Sequence, residues 1–590
     1  MAATDETAGV SKSTVGYALP LVVAVTGHRE LVADEVPQIR ARVKSLFEEL
    51  CEKYPYSSLT ILSPLAEGAD MLVAEVALEL DLDLVVPLPK SKQDYLDDFK
   101  SKQGREHFEQ VLSKATDVFE LSENFPAKPD DIHQDEWEAA FPYTRLGAFL
   151  CSHCHILLAI WDGYKSDKMG GAAQVVKFHH DDVMRGLTPK TGVSQQMLVD
   201  DESDLVFHIP CSRNKVGYEP HPEIDPLDWC WYTKDEKTPR SKTLPAQHEL
   251  IFQRSSEFSA DAIKFADSIE TEKLSLLTDE EPAELAVGAA RINHLYCIAD
   301  WLAIYYQKKT LRTLLITHWV AFLMGLMFIL YSDIESVQLL LFAFLGFFAF
   351  AVAAQYVANK GAWQRKYLDC RTLAEGLRVQ FYWAAVGVTA ENKWKFAHDS
   401  FLQTQNPEFG WIRNVMRVAG IRCDAAPYLD PAGVEYTLRE WIGGPDQGQL
   451  GYFRVKAHER IRHHANTEKL GWLSLLTSVS TVFIFLLFGS MLTDLWESVL
   501  IFVMGSTLLV YAVREGYSYA TATKELIKQY EFMLRIFDNA HRRLSAVTSS
   551  DEKRQILSAL GQSALDEHSD WILMHRERSL DESEIWRMGA

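Results

Sequence analysis

Apolar positions along the chain fall into two kinds of run. Between residues 20 and about 215, short, mostly apolar runs alternate with helical patterns. Residues 21–25, 58–62, 84–88, 117–121, 156–161 and 205–210 read as strands. Residues 36–53, 71–80, 105–113, 143–154 and 172–178 read as the helices between them. Continuously apolar strands separated by helices predict a doubly wound parallel-sheet α/β domain with both faces covered. The second kind of run is longer. Residues 313–331, 337–358, 473–491 and 498–513 carry no charge; the last is taken as a span beginning at Trp496, with Glu497 at its tip end. A bilayer-spanning helix needs about 20 apolar residues, and a soluble core helix rarely lacks charge on every face over that length. These four are predicted to cross a membrane as two hairpins.

The two hairpins resemble each other. Their tips read D-I-E-S-V from Asp333 and D-L-W-E-S-V from Asp494. Each hairpin is followed by a helical segment, 364–383 or 521–543, containing a Leu-Arg pair. Helices over 283–307 and 454–469 precede them, which suggests a duplicated module. The predicted organisation is a polar tail over 1–19 and the α/β domain with a lid or linker over 20–260. Two helical two-span modules follow, over 261–395 and 396–590.

Charge orients the hairpins. Both tips are acidic (Asp333, Glu335, Asp494, Glu497), and the opposite ends carry Lys308, Lys309, Arg312, Lys360, Arg365, Lys366, Lys469 and Arg514. The positive-inside rule places the tips outside and everything else, both termini included, in the cytoplasm of a cell whose inner membrane holds the chain. No apolar signal segment opens the sequence, which fits that expectation. In a symmetric homo-oligomer the four acids would form a cation-concentrating pore mouth. Overall, 59 Lys and Arg against 81 Asp and Glu give a net charge of −22, which excludes a general nucleic-acid binder. Eight scattered cysteines make no disulfide framework.

Candidate chemistry collects at predicted strand ends, where doubly wound sheets bind ligands. Thr26-Gly27-His28-Arg29 follows the first strand; Gly27 admits a close ligand and Arg29 suits a phosphate. Glu67-Gly68-Ala69-Asp70 opens a helix, Trp161-Asp162-Gly163 ends the fifth strand, and Gly170-Gly171-Ala172 opens the next helix. Helix N-termini favour anions, and Asp70 or Asp162 would accept from a ribose hydroxyl. Other clusters read as structural. Cys151, Cys154 and His155 lack the second pair a zinc site needs, and the run 179–182 (HHDD) reads as a solvated face. The Trp- and Tyr-rich stretch 201–244 reads as a lid or linker in which packing is the simpler role for the aromatics. His318 and the Ser/Thr residues at 474, 477, 478, 480 and 481 are expected to pack between helices or line a pore.

The order TGHR, EGAD and ILLAIWDG followed by GGAAQVV resembles the SLOG superfamily of Rossmann-like nucleotide-binding domains, related to the LOG phosphoribohydrolases and to DprA. The resemblance covers residues 20 to about 215. The hairpins resemble SLATT modules, two-helix membrane units paired with SLOG sensors in bacterial conflict systems. It implies a sensor–effector for antiviral defence. A nucleotide second messenger, ADP-ribose-related and made by a separate synthase, would bind the first domain, and the membrane part would open a pore or disrupt the bilayer. No cofactor would be required. Carried over by position, Gly27, His28, Arg29, Glu67, Gly68, Asp70, Arg145, Asp162, Gly163, Gly170 and Gly171 would line the site. One departure matters. The hydrolases carry a glutamate in the stretch that here reads MGGAAQVV, with Gln174 near that place, and a neutral amide cannot act as a general base. Binding is thus favoured over hydrolysis. A membrane-anchored N-glycoside hydrolase, for which Glu67 remains available, stays as the alternative, and a purely structural protein is the third reading.

Overall fold

The computed structural model describes residues 15–121, 128–188, 204–214, 220–221, 224–234, 240–333, 337–388, 401–402, 409–425, 427–444 and 446–577. The chain divides into two compact units, residues 1–298 with 376–433, and residues 299–375 with 434–590.

In the first unit the elements run β1 (Pro20–Gly27), α1 (Val36–Lys53), β2 (Ser58–Leu62), α2 (Ala69–Glu79), β3 (Asp83–Leu88), α3 (Lys92–Leu96), α4 (Lys102–Leu112) and β4 (Asp117–Glu120). They continue through α5 (Gln134–Ser152), β5 (Ile156–Trp161), α6 (Ala172–Asp181), β6 (Val206–Pro210), β7 (Cys230–Tyr232), α7 (Ala246–Lys264) and α8 (Ala266–Glu272). The seven strands lie in the order β4-β3-β2-β1-β5-β6-β7, parallel except for β7. The doubly wound fold expected from the apolar strands is therefore present. Every residue of β5 and β6 is buried, as strands covered on both faces must be. Part of the stretch expected as lid or linker is β7, which pairs with β6 and closes that edge of the sheet. Trp229, just before β7, stacks on Phe207 with ring centres 5.3 Å apart. Helix α5 begins nine residues earlier than the pattern suggested, carrying Pro142 inside it.

The division between units falls inside α9 (Ala283–Asp333) and α11 (Trp363–Val386), with α10 (Gln338–Lys360) between them. Helices α12 (Gly410–Ala419), α13 (Ile421–Ala425) and the start of α14 (Pro431–Thr437) return to the first unit. Every residue of α12 is buried, Arg413 and Arg417 included. Val418 and Ala425 join the core formed by β1, α5, β5 and α6. His155 fastens this layer: its Nδ1 accepts the Val22 N–H at 3.1 Å, and its Nε2–H donates to the Asn414 carbonyl at 3.1 Å. Burial, followed by the nearby Arg417 charge and against the pull of the Asn414 bond, moves the His155 imidazole down to about 4.

The second unit is helical, completed by α15 (Gly448–Phe488), α16 (Asp494–Ala520), α17 (Thr523–Ala546) and α18 (Ser550–Glu577). Among the described residues, four helices are long and apolar enough to cross a membrane: α9, α10, α15 and α16. The chain is accordingly a multi-pass membrane protein. The predicted helix and span on either side of residue 310 form one 51-residue helix, and those around 470 form one of 41 residues. The fourth span, which looked short, is part of a 27-residue helix. At 1.5 Å per residue α10 is about 34 Å long, enough for the hydrocarbon core. None of its residues is buried, the pattern of a helix solvated by lipid. Where spans meet, small residues allow it. A Cβ on Gly325 would lie 2.6 Å from Leu509, and one on Gly505 would lie 2.9 Å from Ile329. Ser474, Ser478 and Thr481 are buried, and the Ser478 hydroxyl donates to the Met504 carbonyl at 3.2 Å. These polar groups pack helix against helix.

Candidate functional site

From β1 the chain lays β2, β3 and β4 outward on one side, then crosses to start β5 on the other. The boundary between β1 and β5 is thus the point where winding reverses, the usual ligand crevice of such sheets. Thr26-Gly27-His28-Arg29 and Trp161-Asp162-Gly163 leave the sheet side by side there. Thr26 is buried within the ladder opposite Ala159, and Gly27 lies opposite Ile160.

Gly27 is required by packing. A Cβ there would sit 2.4 Å from Ala69 and 2.6 Å from the Ile160 carbonyl. Gly68, at φ +91°, is equally constrained, since a Cβ would meet the His28 and Arg29 carbonyls at 2.4 and 2.5 Å. The start of α2 is consequently pressed onto the TGHR turn. Its first-turn donors are already used: Ala69 N–H bonds the His28 carbonyl at 3.0 Å and Met71 N–H the Ala66 carbonyl at 3.1 Å. Glu67 is half-buried with its Oε1 against the first turn of α4.

His28 and Asp162 form a buried latch across the crevice. Nε2 of His28 accepts the Asp162 N–H at 2.9 Å and lies 3.2 Å from Asp162 Oδ2. Arg213, just beyond β6, places its Nε 3.0 Å from the same carboxylate oxygen and 3.2 Å from His28 Nε2. The other oxygen, Oδ1, accepts the Tyr164 N–H at 3.1 Å. Burial pushes the Asp162 carboxyl up, but the His28 contact, the Tyr164 N–H and the Arg213 charge together hold it below the ordinary carboxylate range. Asp162 is therefore an ionised group with both oxygens occupied, and it fixes the turn in which Gly163 takes φ +82°.

Asp70 is the opposite case. It is 9 % exposed, and its Oδ1 has no hydrogen-bond partner among the described residues. Burial raises its carboxyl to about 7, with the Arg29 charge pulling the other way.

Arg29 is exposed and forms no ion pair among the described residues. Its guanidinium stands 5.5 Å from the centre of the Tyr143 ring on α5, and the Lys90 ammonium, just beyond β3, lies 5.0 Å from the same centre. Lys90 is paired with Asp98 at 3.2 Å, and the Tyr143 hydroxyl also donates to Asp98. Gly170, at φ +67°, packs on the other side of this tyrosine, where a Cβ would lie 2.7 Å from Tyr143 Cβ. Gly171 then caps α6, whose first N–H groups, those of Ala172 and Ala173, are the ones a helix leaves open. Two cations, an aromatic ring and a helix N-terminus thus gather at one corner of the crevice, and such a set suits a phosphorylated ligand with a flat base.

Most sequence-predicted residues converge here. Arg145 lies two strands away, where its Nη2 donates to the carbonyls of Leu121 at 3.2 Å and Pro89 at 3.5 Å, beyond the ends of β4 and β3. Gln174 is buried and committed. Its Nε2 donates to the Ser166 carbonyl at 2.5 Å, and its Oε1 accepts the Arg185 N–H at 3.2 Å. Lys90, Tyr143 and Arg213 were missed. Lys90 and Arg213 each follow a strand end, so the rule that found Arg29 applies to them. Tyr143 carried no signal, because only the fold of α5 brings it to the crevice. At the hairpin tips, Asp333, Asp494 and Glu497 are exposed, and Glu335 lies outside the described residues. Among the described residues no three His, Cys, Asp or Glu side chains gather as a metal site. No family model and no curated protein matches the chain.

Proposed function

We propose that the chain is a membrane-embedded sensor–effector: a nucleotide binds the β1/β5 crevice of the first unit, and the bound state changes the permeability of the four-span part. The observation that carries this reading is the exposed, ion-pair-free Arg29 at the switch point, beside Tyr143 and the glycine-opened start of α6. Arg29 would hold a phosphate bidentately, Tyr143 would stack on a base or ribose, and α6 would receive a second phosphate. The two latch oxygens of Asp162 are occupied, which removes it as the ribose acceptor. Gln174 has both amide atoms engaged and no acid–base capacity, which favours ligand retention over glycosidic cleavage. Differential affinity of the ligand for two states of the protein supplies the gating free energy. The ligand is read as ADP-ribose-related and supplied by a separate synthase. The assembly is a homo-oligomer in a cell's inner membrane with both termini cytoplasmic and the acidic tips at an outer mouth. Its task is antiviral defence.

The test is leakage from liposomes holding the purified chain, run against a panel of nucleotides with ligand integrity assayed in the same tubes. Leakage with intact ligand supports the sensor–effector, whereas turnover without leakage supports the anchored hydrolase. Arg29→Ala should weaken nucleotide binding about 10- to 100-fold by calorimetry, the value of a charge-assisted phosphate contact. Unchanged affinity in that variant removes the crevice from the argument.

A further inference from the structure

The net charge of the chain is −22, yet its cations are not spread evenly. At one end of the spans, six exposed basic side chains stand on three helices: Lys308 and Arg312 on α9, Lys360 on α10, and Arg460, Arg462 and Lys469 on α15. None has a carboxylate within ion-pair distance among the described residues. Elsewhere in the same unit, Arg371 holds Asp300 and Glu375, Arg365 holds Asp369, and Arg542 holds Asp538. The carboxylates at this end are held by other groups, Glu459 by Lys456, Glu468 by His464 and Glu515 by Arg514, and the acids at the opposite end are Asp333, Asp494 and Glu497.

Depth decides what these cations meet. Lys469 and the exposed Trp472 stand where the apolar run of α15 begins, and Tyr356 and Tyr519 are exposed at the matching ends of α10 and α16. Such aromatic side chains mark the headgroup level. Arg462 and Arg460 stand seven and nine residues before Lys469 on α15, about 10 and 13 Å farther into water. Those distances are close to one Debye length, so charges there still feel a lipid surface.

We propose that this end of the second unit is a collar that binds anionic phospholipid headgroups, with Arg312, Lys360 and Lys469, at the ends of the apolar runs, as its main contacts. Arg462 and Arg460, farther into water, add a screened attraction. The acidic tips repel the same lipids from the other leaflet, so the collar recognises one face of the bilayer. The site is separate from the nucleotide crevice and does not rest on that reading.

The experiment uses the full chain in neutral detergent, titrated with phosphatidylglycerol or phosphatidylcholine, with bound lipid counted by native mass spectrometry and unfolding followed by heat. Phosphatidylglycerol should bind and raise Tm, phosphatidylcholine should not, and the difference should shrink in high salt. Each cation near a lipid surface changes the association constant about fivefold, so R312Q/K360Q/K469Q should weaken phosphatidylglycerol binding about a hundredfold. Should that variant fold poorly, R312K/K360R/K469R, which keeps the charge, must retain the preference and the wild-type salt dependence must still appear. Equal binding of the two lipids, or a preference unmoved by salt, overturns the proposal. No nucleotide is present, so the result is independent of what the crevice binds.

Discussion

Strand β5 and helix α10 are both continuous apolar runs, and they are solvated in opposite ways. All six residues of β5 are buried by protein. None of the 23 residues of α10 is. Hydrophobicity alone does not separate them; length does. Six residues of strand reach about 20 Å and must be covered by other elements, whereas 23 residues of helix match a bilayer and satisfy their own backbone hydrogen bonds. Polar groups follow the same division. The sheet unit buries ionisable residues such as Asp70, Asp162 and Arg413. In the spans, the polar residues that become buried are Ser474, Ser478 and Thr481, which are small and uncharged. A domain in water can surround a charge with dipoles and partners, but a pair of helices in hydrocarbon offers few.

The strongest way to sharpen this contrast is pH. The folded Asp70 carboxyl lies at about 7 against an ordinary 3.8. Between those values the folded state binds the proton and the unfolded state does not, so stability falls as pH rises through the window. The loss approaches about 4 kcal/mol above it. Asp70→Asn should flatten that slope in thermal unfolding of the first unit between pH 5 and 8, and an identical slope in the variant would refute the assignment. The second unit carries a comparable group, Glu567 on α18, raised to about 8 chiefly by burial, so Asp70→Asn must flatten the slope of the first-unit transition alone.

A smaller effect compares tight glycines. Gly27→Val forces a side chain against the Ile160 carbonyl and Ala69, neither of which can move without disturbing β5 or α2. It should cost about 1–3 kcal/mol or more, read as an earlier first-unit transition in calorimetry with span helicity retained. Gly505→Ala meets only the Cδ1 and Cγ atoms of Ile329, the mobile end of a side chain. It should cost less than about 1 kcal/mol and leave the first unit untouched. If Gly505→Ala proved the costlier of the two, the spans would be packed as tightly as the sheet core, and the contrast between them would fail.

Much of the fold was legible because two periods dominate it. Continuous short runs separated by helical patterns admit essentially one layer arrangement, and the strand ends then mark where ligands go. Arg29, His28 and Asp162 could be found for that reason. The rest depended on partners distant in sequence. Three-residue β7 has no pattern of its own and is a strand only because β6 offers an unpaired edge. Helix α12, W-I-R-N-V-M-R-V after its first glycine, carries two arginines among its apolar residues. Both arginines are buried, and the Arg413 Nη1 donates to the Phe401 carbonyl at 3.2 Å.

By itself, then, the sequence determined the parallel sheet, the four spans and the crevice at which glycines and Arg29 meet, because each follows from local periodicity and length. Only the tertiary structure decided that Asp162 is latched by His28 and Arg213 while Asp70 is left unpartnered. It also placed Lys90 and Tyr143 beside Arg29, and it brought residues 376–433 back to complete the first core. Each of these is a contact between side chains far apart along the chain, and its free energy exists only once burial has removed the competing water.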